Sequence, residues 1–225
     1  MTFGRNFGRQ VTSVSYIWYI EGADDRILVD AGGDIEYVSR SMGRIPVKEI
    51  QSLETGLGKF GTGVDDIDIV ILTHLHYDHV QLASLFTKAR FLVQRSELKF
   101  AYSRHPMVRT LGYIREFYDK LNFDVIEGDH TICDGLSVIC TPGHSPGGQS
   151  VIIQTTKGRA IISGLCTIRE NFEPPPSIAA VVPVIPTGIY SDICNNYDSL
   201  IKIKEMADII VPLHDPECLD RSSIP

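Results

Sequence analysis

Apolar residues fall in short runs separated by glycine, proline and acidic turn residues, a rhythm that predicts strands alternating with short helices. Residues 14–21 and 26–30 flank Gly22-Ala23-Asp24-Asp25, which predicts a β-hairpin followed by a turn at Gly32-Gly33. Residues 47–60 predict a helix that stops near Gly61. Ile67-Asp68-Ile69-Val70-Ile71-Leu72 is almost continuously apolar, and its length and Ile/Val content predict a strand buried on both faces. A short helix, a strand at 90–94 and a helical stretch from Glu97 follow. Residues 107–121 predict another helix, with Met107, Leu111, Ile114, Tyr118 and Leu121 on one side. The second half predicts strands at 124–127, 136–140, 149–154 and 160–162, then a rigid proline-rich loop over 174–186. A helix at 197–206 and a last strand at 209–212 close the chain. Together these elements imply two packed sheets with helices outside, in one domain spanning residues 1–225.

Composition narrows the choice of partners. The chain is 43% hydrophobic, enough for a real core, and 22% charged. Its 28 acidic against 21 basic side chains leave a net charge of −7, the wrong sign for an electrostatic grip on nucleic acid or an anionic membrane. No charge-free apolar window reaches the length of a transmembrane helix, and residues 1–10 lack the apolar stretch of a secretory signal. Five cysteines, Cys133, Cys140, Cys166, Cys194 and Cys218, include no CxxC pair, so thiols in a reducing cytoplasm are expected. The expected partner is a small molecule, with neither nucleic acid nor membrane. The apolar proline-rich segment suits either a pocket rim or the interface of a homodimer.

Histidines at strand ends carry the chemistry. Thr73-His74-Leu75-His76-Tyr77-Asp78-His79 directly follows the buried run at 67–72. Side chains two apart on an extended segment face the same way, so His74 and His76 can close on one metal. Asp78 and His79, where the chain turns towards a helix, can address a second. His144 sits in Thr141-Pro142-Gly143-His144-Ser145-Pro146-Gly147-Gly148, after a predicted strand, and His214 follows the last one in Val211-Pro212-Leu213-His214-Asp215. Imidazoles with a carboxylate suit zinc, and also manganese, iron or cobalt. Asp30 reads as a turn or supporting residue, Cys166 as a small core residue. His105 and His130 have no comparable setting.

The run His74-Leu75-His76-Tyr77-Asp78-His79 is an HxHxDH motif, and with it the sequence resembles the metallo-β-lactamase-fold hydrolases. The residues at 91–97, 125–129, 141–150 and 169–173 extend the resemblance to the N-acyl-homoserine lactonase branch. The resemblance implies an α+β fold, an αββα sandwich of the metallo-β-lactamase type. It also implies a two-metal centre, with His74, His76 and His144 on one ion and Asp78, His79 and His214 on the other. The ions would be two divalent metals, zinc in the first instance, with occupancy of the second site left open. Where that branch carries a bridging aspartate this chain has Gly164, or Leu165 with a one-residue slip, and its active-site tyrosine falls at Thr167. The bridging aspartate and the tyrosine therefore read as missing, with Tyr77 and Tyr190 the hydroxyls that could stand in.

The expected activity is a metal-dependent, lactonase-like hydrolase that opens a lactone or related cyclic ester with hydroxide generated at the metal. Asp78 is the expected catalytic residue, both ligand and orienter of the nucleophile. Two alternatives stay open: a cyclic-amide or amide hydrolase on the same centre, and a non-catalytic metal- or ligand-binding homologue. Arg104, His105, Arg109, Tyr113 and Arg115 offer polar and cationic groups for a pocket wall.

Overall fold

Two five-stranded sheets form the framework, seen here in a computed structural model that describes residues 1–5, 8, 11–41, 43, 45–221 and 223–224. In the first, Trp18–Ile20 (β1) pairs antiparallel with Ile27–Val29 (β2). β2 runs parallel to Ile69–Ile71 (β3), which runs parallel to Arg90–Gln94 (β4). Phe123–Ile126 (β5) completes the order β1-β2-β3-β4-β5. Every residue of β2 and β3 is buried, which for β3 is the two-face burial that its nearly continuous apolar run predicts.

The second sheet contains His130–Cys133 (β6), Leu136–Cys140 (β7), Gln149–Thr155 (β8) and Gly158–Ile162 (β9), each antiparallel to the next. Ile209–Val211 (β10) adds to β9 in parallel. Ile139, Ile152, Ile161, Leu165, Phe172, Val184, Leu200 and Ile203 pack as its core cluster. The chain divides into two compact units: residues 15–93 and 99–125 carry most of the first sheet, and residues 1–14, 94–98 and 126–225 the second.

The helices are short: Ile35–Ser41 (α1), Leu53–Gly58 (α2), Tyr77–Val80 (α3), Arg95–Ala101 (α4), Met107–Thr110 (α5), Arg169–Phe172 (α6), Pro176–Ala179 (α7) and the longer Ile193–Met206 (α8). The helix expected over 47–60 is confined to α2, because Ser52 caps it by accepting the Thr55 N–H at 3.2 Å. α8 starts earlier than expected, on the Asp192 cap that accepts the Asn195 N–H at 2.9 Å. The helix expected over 107–121 breaks after one turn. Gly112 takes φ +92°, its carbonyl accepts the Tyr77 N–H at 3.1 Å, and Tyr113 makes an isolated β-bridge with His76. The apolar period of that segment is thus overruled by pairing with the HxHxDH loop. β6 lies between the strands expected at 124–127 and 136–140, where none is predicted, and the proline-rich segment contains the single turn α7, opened by Pro176.

Strand direction places the polar residues. Parallel pairing of Val29 with Ile71 brings the residues that follow β2 and β3 to one edge, so Asp30 lies beside Thr73. Pairing of Ile162 with Val211 does the same after β9 and β10, where the Ser163 N–H donates to the Val211 carbonyl at 2.9 Å. No helix among the described residues is long and apolar enough to cross a membrane.

Candidate metal centre

Asp30 anchors the HxHxDH loop. It takes φ +60°, a conformation an aspartate tolerates better than most side chains, and it is fully buried. Its carboxylate accepts the Thr73 N–H at 2.8 Å, the Thr73 hydroxyl at 2.9 and 3.0 Å, and His79 Nδ1–H at 2.8 Å. Because the Thr73 proton goes to Asp30, Thr73 Oγ1 accepts from His74 Nδ1 at 3.0 Å. Both imidazoles are thereby oriented through Nδ1, which leaves Nε2 as the ligating nitrogen. His76 caps α3 in an extended conformation, its ring edge-on to His74 at 4.5 Å and to Tyr113 at 4.8 Å.

Asp78 lies in the first turn of α3. It accepts from the Ser15 hydroxyl at 3.4 Å and stands 3.3 Å from His79 Nε2. Burial alone pulls the His79 pKa down, but the charges of Asp78 and Asp30, with hydrogen bonds to both, overcome it and hold it up to about 10. Without metal, His79 is therefore an imidazolium clasped between two carboxylates.

His144 and His214 are oriented in the same manner. His144 Nδ1–H donates to the Ile189 carbonyl at 2.9 Å, and its loop is fastened where the Gly147 N–H donates to the buried Glu97 carboxylate at 2.9 Å. His214 Nδ1–H donates to the Val14 carbonyl at 2.9 Å. Its backbone N–H donates to the Thr167 carbonyl at 2.9 Å, and the Leu213 N–H donates to Thr167 Oγ1 at 3.1 Å. The Thr167 hydroxyl donates to the Leu165 carbonyl at 3.2 Å, so this fully buried side chain is engaged with backbone.

The six expected ligands form two groups. Ligand atoms of His74, His76 and His144 lie within 4.8 Å of one another, and so do those of Asp78, His79 and His214. The donor set fits divalent zinc-like ions: five imidazoles and a carboxylate, with Nδ1 of four imidazoles tied to oxygen as in metal-ligating histidines.

Residues outside the two groups make other contacts, and Cys166 is buried as expected of a core residue. Glu170 pairs with Arg5 at 2.8 Å, and buried Cys166 has its Sγ 3.9 Å from Met1 Sδ. His105 and His130 are exposed, as are Arg104 and Arg109, while the Arg115 guanidinium lies 4.8 Å from the Tyr102 ring centre. Tyr77 and Tyr190 make edge contacts with Tyr37 at 5.8 Å and Phe3 at 5.7 Å. A carboxylate at Gly164 has no room, since any Cβ there would collide with the Gln149 carbonyl of β8. Thr73 and the Ile189 and Val14 carbonyls escaped the sequence reading. Thr73 could be suspected from its place beside His74, but the two carbonyls carry no side-chain signal.

The model of the metallo-beta-lactamase superfamily matches residues 11–216. N-acyl homoserine lactonase AiiA of Bacillus thuringiensis subsp. kurstaki is 35% identical over 120 residues, covering 52% of this chain and 46% of that protein. The Rhizobium radiobacter lactonase AttM is 33% identical over 105 residues, covering 43% and 40%. The chain thus spans about half the length of the sequence relatives it matches. Among solved structures, a Bacillus thuringiensis AiiA variant with N-decanoyl-L-homoserine at its active site aligns with TM-score 0.76 and 26% identity, over 98% of this chain and 89% of that one. A quorum-quenching N-acyl homoserine lactone lactonase aligns with TM-score 0.74 and 27% identity, over 98% and 87%. The fold class is accordingly the expected α+β sandwich. One expectation needs correction: the view of a lactonase-like centre with parts missing gives way to an intact HxHxDH motif, whose four donors join His144 and His214 in two complete groups of three.

Proposed function

The chain belongs to the metallo-beta-lactamase superfamily, and we propose that it is a metal-dependent hydrolase that opens a lactone or related cyclic ester. The observation that carries this reading is the pair of three-donor groups, His74/His76/His144 and Asp78/His79/His214, with four imidazoles oriented through Nδ1. When bound there, two divalent ions supply a nucleophilic water at neutral pH and polarise a carbonyl. The chain's own residues do the rest. Asp30 and Thr73 hold His74 and His79 in the ligating tautomer, and Asp78 serves as ligand and as the acceptor that orients the attacking water. Lactone opening is favoured over other hydrolyses because the sequence relatives and the aligned structures of at least 25% identity include N-acyl homoserine lactonases.

A single working domain belongs to the proposal, supported by one family match running from residue 11 to 216. So does a homodimer, motivated by the apolar cleft that Phe3, Ile178, Val182 and Tyr197 line and by Val181, which is 81% exposed. Cysteines without a disulfide support a cytoplasmic setting.

The deciding experiment assays zinc- and manganese-loaded protein on N-acyl homoserine lactones, simple lactones and cyclic amides. Turnover should be highest on a lactone. Faster turnover of cyclic amides would move the assignment to amide hydrolysis, and inactivity at two metal equivalents per chain would make the protein a binding homologue.

A further inference from the structure

His144 takes its orientation from a carbonyl in an irregular segment. Ile189 lies between the isolated bridge at Thr187 and the start of α8, and the residue is 49% exposed. A carbonyl in such a setting ordinarily exchanges partners with water and pivots. Here it is held from behind. The fully buried Thr187 donates its hydroxyl proton to the Ile189 carbonyl at 2.7 Å, while His144 Nδ1–H donates to the same oxygen at 2.9 Å. Two donors match the two lone pairs of a carbonyl.

The direction of the Thr187 proton is itself fixed. Asn196, fully buried on α8, donates through Nδ2 to Thr187 Oγ1 at 2.8 Å and accepts the Thr187 N–H through Oδ1 at 3.0 Å. An amide donating into the hydroxyl oxygen turns the hydroxyl proton away, towards Ile189. Donation therefore runs from Asn196 to Thr187 and from Thr187 to the Ile189 carbonyl, where it meets the Nδ1–H that His144 donates from the other side. The backbone of His144 is held by the same segment, since the Ser191 N–H reaches the Gly143 carbonyl at 2.7 Å and the His144 carbonyl at 3.1 Å.

We propose that Thr187 and Asn196 are positioning residues for His144: they aim the Ile189 carbonyl so that the imidazole keeps Nδ1 protonated and presents Nε2 to a metal. This rests on the reading of His144 as a metal ligand. Its consequence is that the affinity of one metal equivalent depends on a threonine and an asparagine that need not touch the ion.

Cobalt(II) titrations of the purified full chain, followed by visible absorption, test this with Thr187→Val, which keeps shape and removes the hydroxyl, and Thr187→Ser, which keeps the hydroxyl. Loss of an outer hydrogen bond to a ligating histidine typically weakens binding by 10–100-fold. Thr187→Val should therefore weaken one of two cobalt equivalents by roughly 10-fold and shift its absorption bands. Thr187→Ser should restore both affinity and spectrum. Thr187→Ala carries the same expectation as the valine variant and replaces it if that variant does not fold. Wild-type affinity and spectrum in the variant lacking the hydroxyl would overturn the proposal while leaving the metal centre standing. Equal loss in Thr187→Ser would also overturn it, by tracing the effect to packing. Wild-type protein that binds no cobalt would overturn the metal-centre reading together with this one.

Discussion

Asp30 shows how much one buried carboxylate can organise. It meets the Thr73 N–H, the Thr73 hydroxyl and His79 Nδ1–H at once, and does so at a positive φ. Asparagine tolerates the same backbone, so Asp30→Asn isolates the charge and one acceptor. The change should cost about 1–3 kcal/mol in denaturant unfolding, for the buried donor left unsatisfied. It should also weaken zinc binding by roughly 10-fold or more, read by competition with a chromophoric chelator. His79 sets the pH behaviour. Its folded pKa of about 10 lies above the ordinary 6.5, so the stability it contributes in metal-free protein is complete below about pH 6.5 and is lost as pH rises towards 10. Melting temperatures of chelator-treated protein should fall across that window; a flat profile between pH 7 and 9.5 would count against the clasp. Metal affinity should rise with pH over the same range, because the ion displaces the proton.

At the level of strands and loops, the decisive feature is how closely backbones approach one another. Gly164 follows β9 against the Gln149 carbonyl at the start of β8, with no space for a Cβ. Gly164→Ala should destabilise the protein by about 1–3 kcal/mol through overpacking, measured by urea unfolding. Unchanged stability would mean that β8 yields at this point. The segment after α5 makes the complementary case. Its apolar spacing reads as a helix, yet Gly112 and Tyr113 leave the helical path to pair with Tyr77 and His76. A bond to the HxHxDH loop, formed by residues more than thirty positions apart, outweighs a local preference worth tenths of a kcal/mol per residue.

Across the whole chain, metal binding and stability are expected to be linked. At a free metal concentration a hundredfold above Kd, one site adds about 2.7 kcal/mol of stability, worth roughly 5–10 °C in Tm for a chain of this size. Chelator treatment should lower Tm by at least that amount, and zinc should restore it, both followed by calorimetry. Zinc that leaves Tm unchanged would show that the two donor groups do not hold an ion in the folded state. The net charge of −7 carries a second expectation, that duplex DNA will not be retarded in a gel by this protein.

HxHxDH was legible from the residues alone because its logic is local: a buried strand, an extended loop and a helix start are all contiguous, and alternation sets which imidazoles share a face. The β3 run was legible for a similar reason, since burial on both faces favours a nearly continuous stretch of Ile, Leu and Val. What could not be read is everything that depends on which backbone atom arrives from elsewhere. The Ile189 and Val14 carbonyls fix the tautomers of His144 and His214, yet every residue has a carbonyl and none announces its partner. The lack of space at Gly164, the break at Gly112 and the chain from Asn196 to His144 likewise arise from contacts between distant segments. Side-chain type reports what chemistry a position can perform, and only the packed backbone determines which groups stand near enough to direct it.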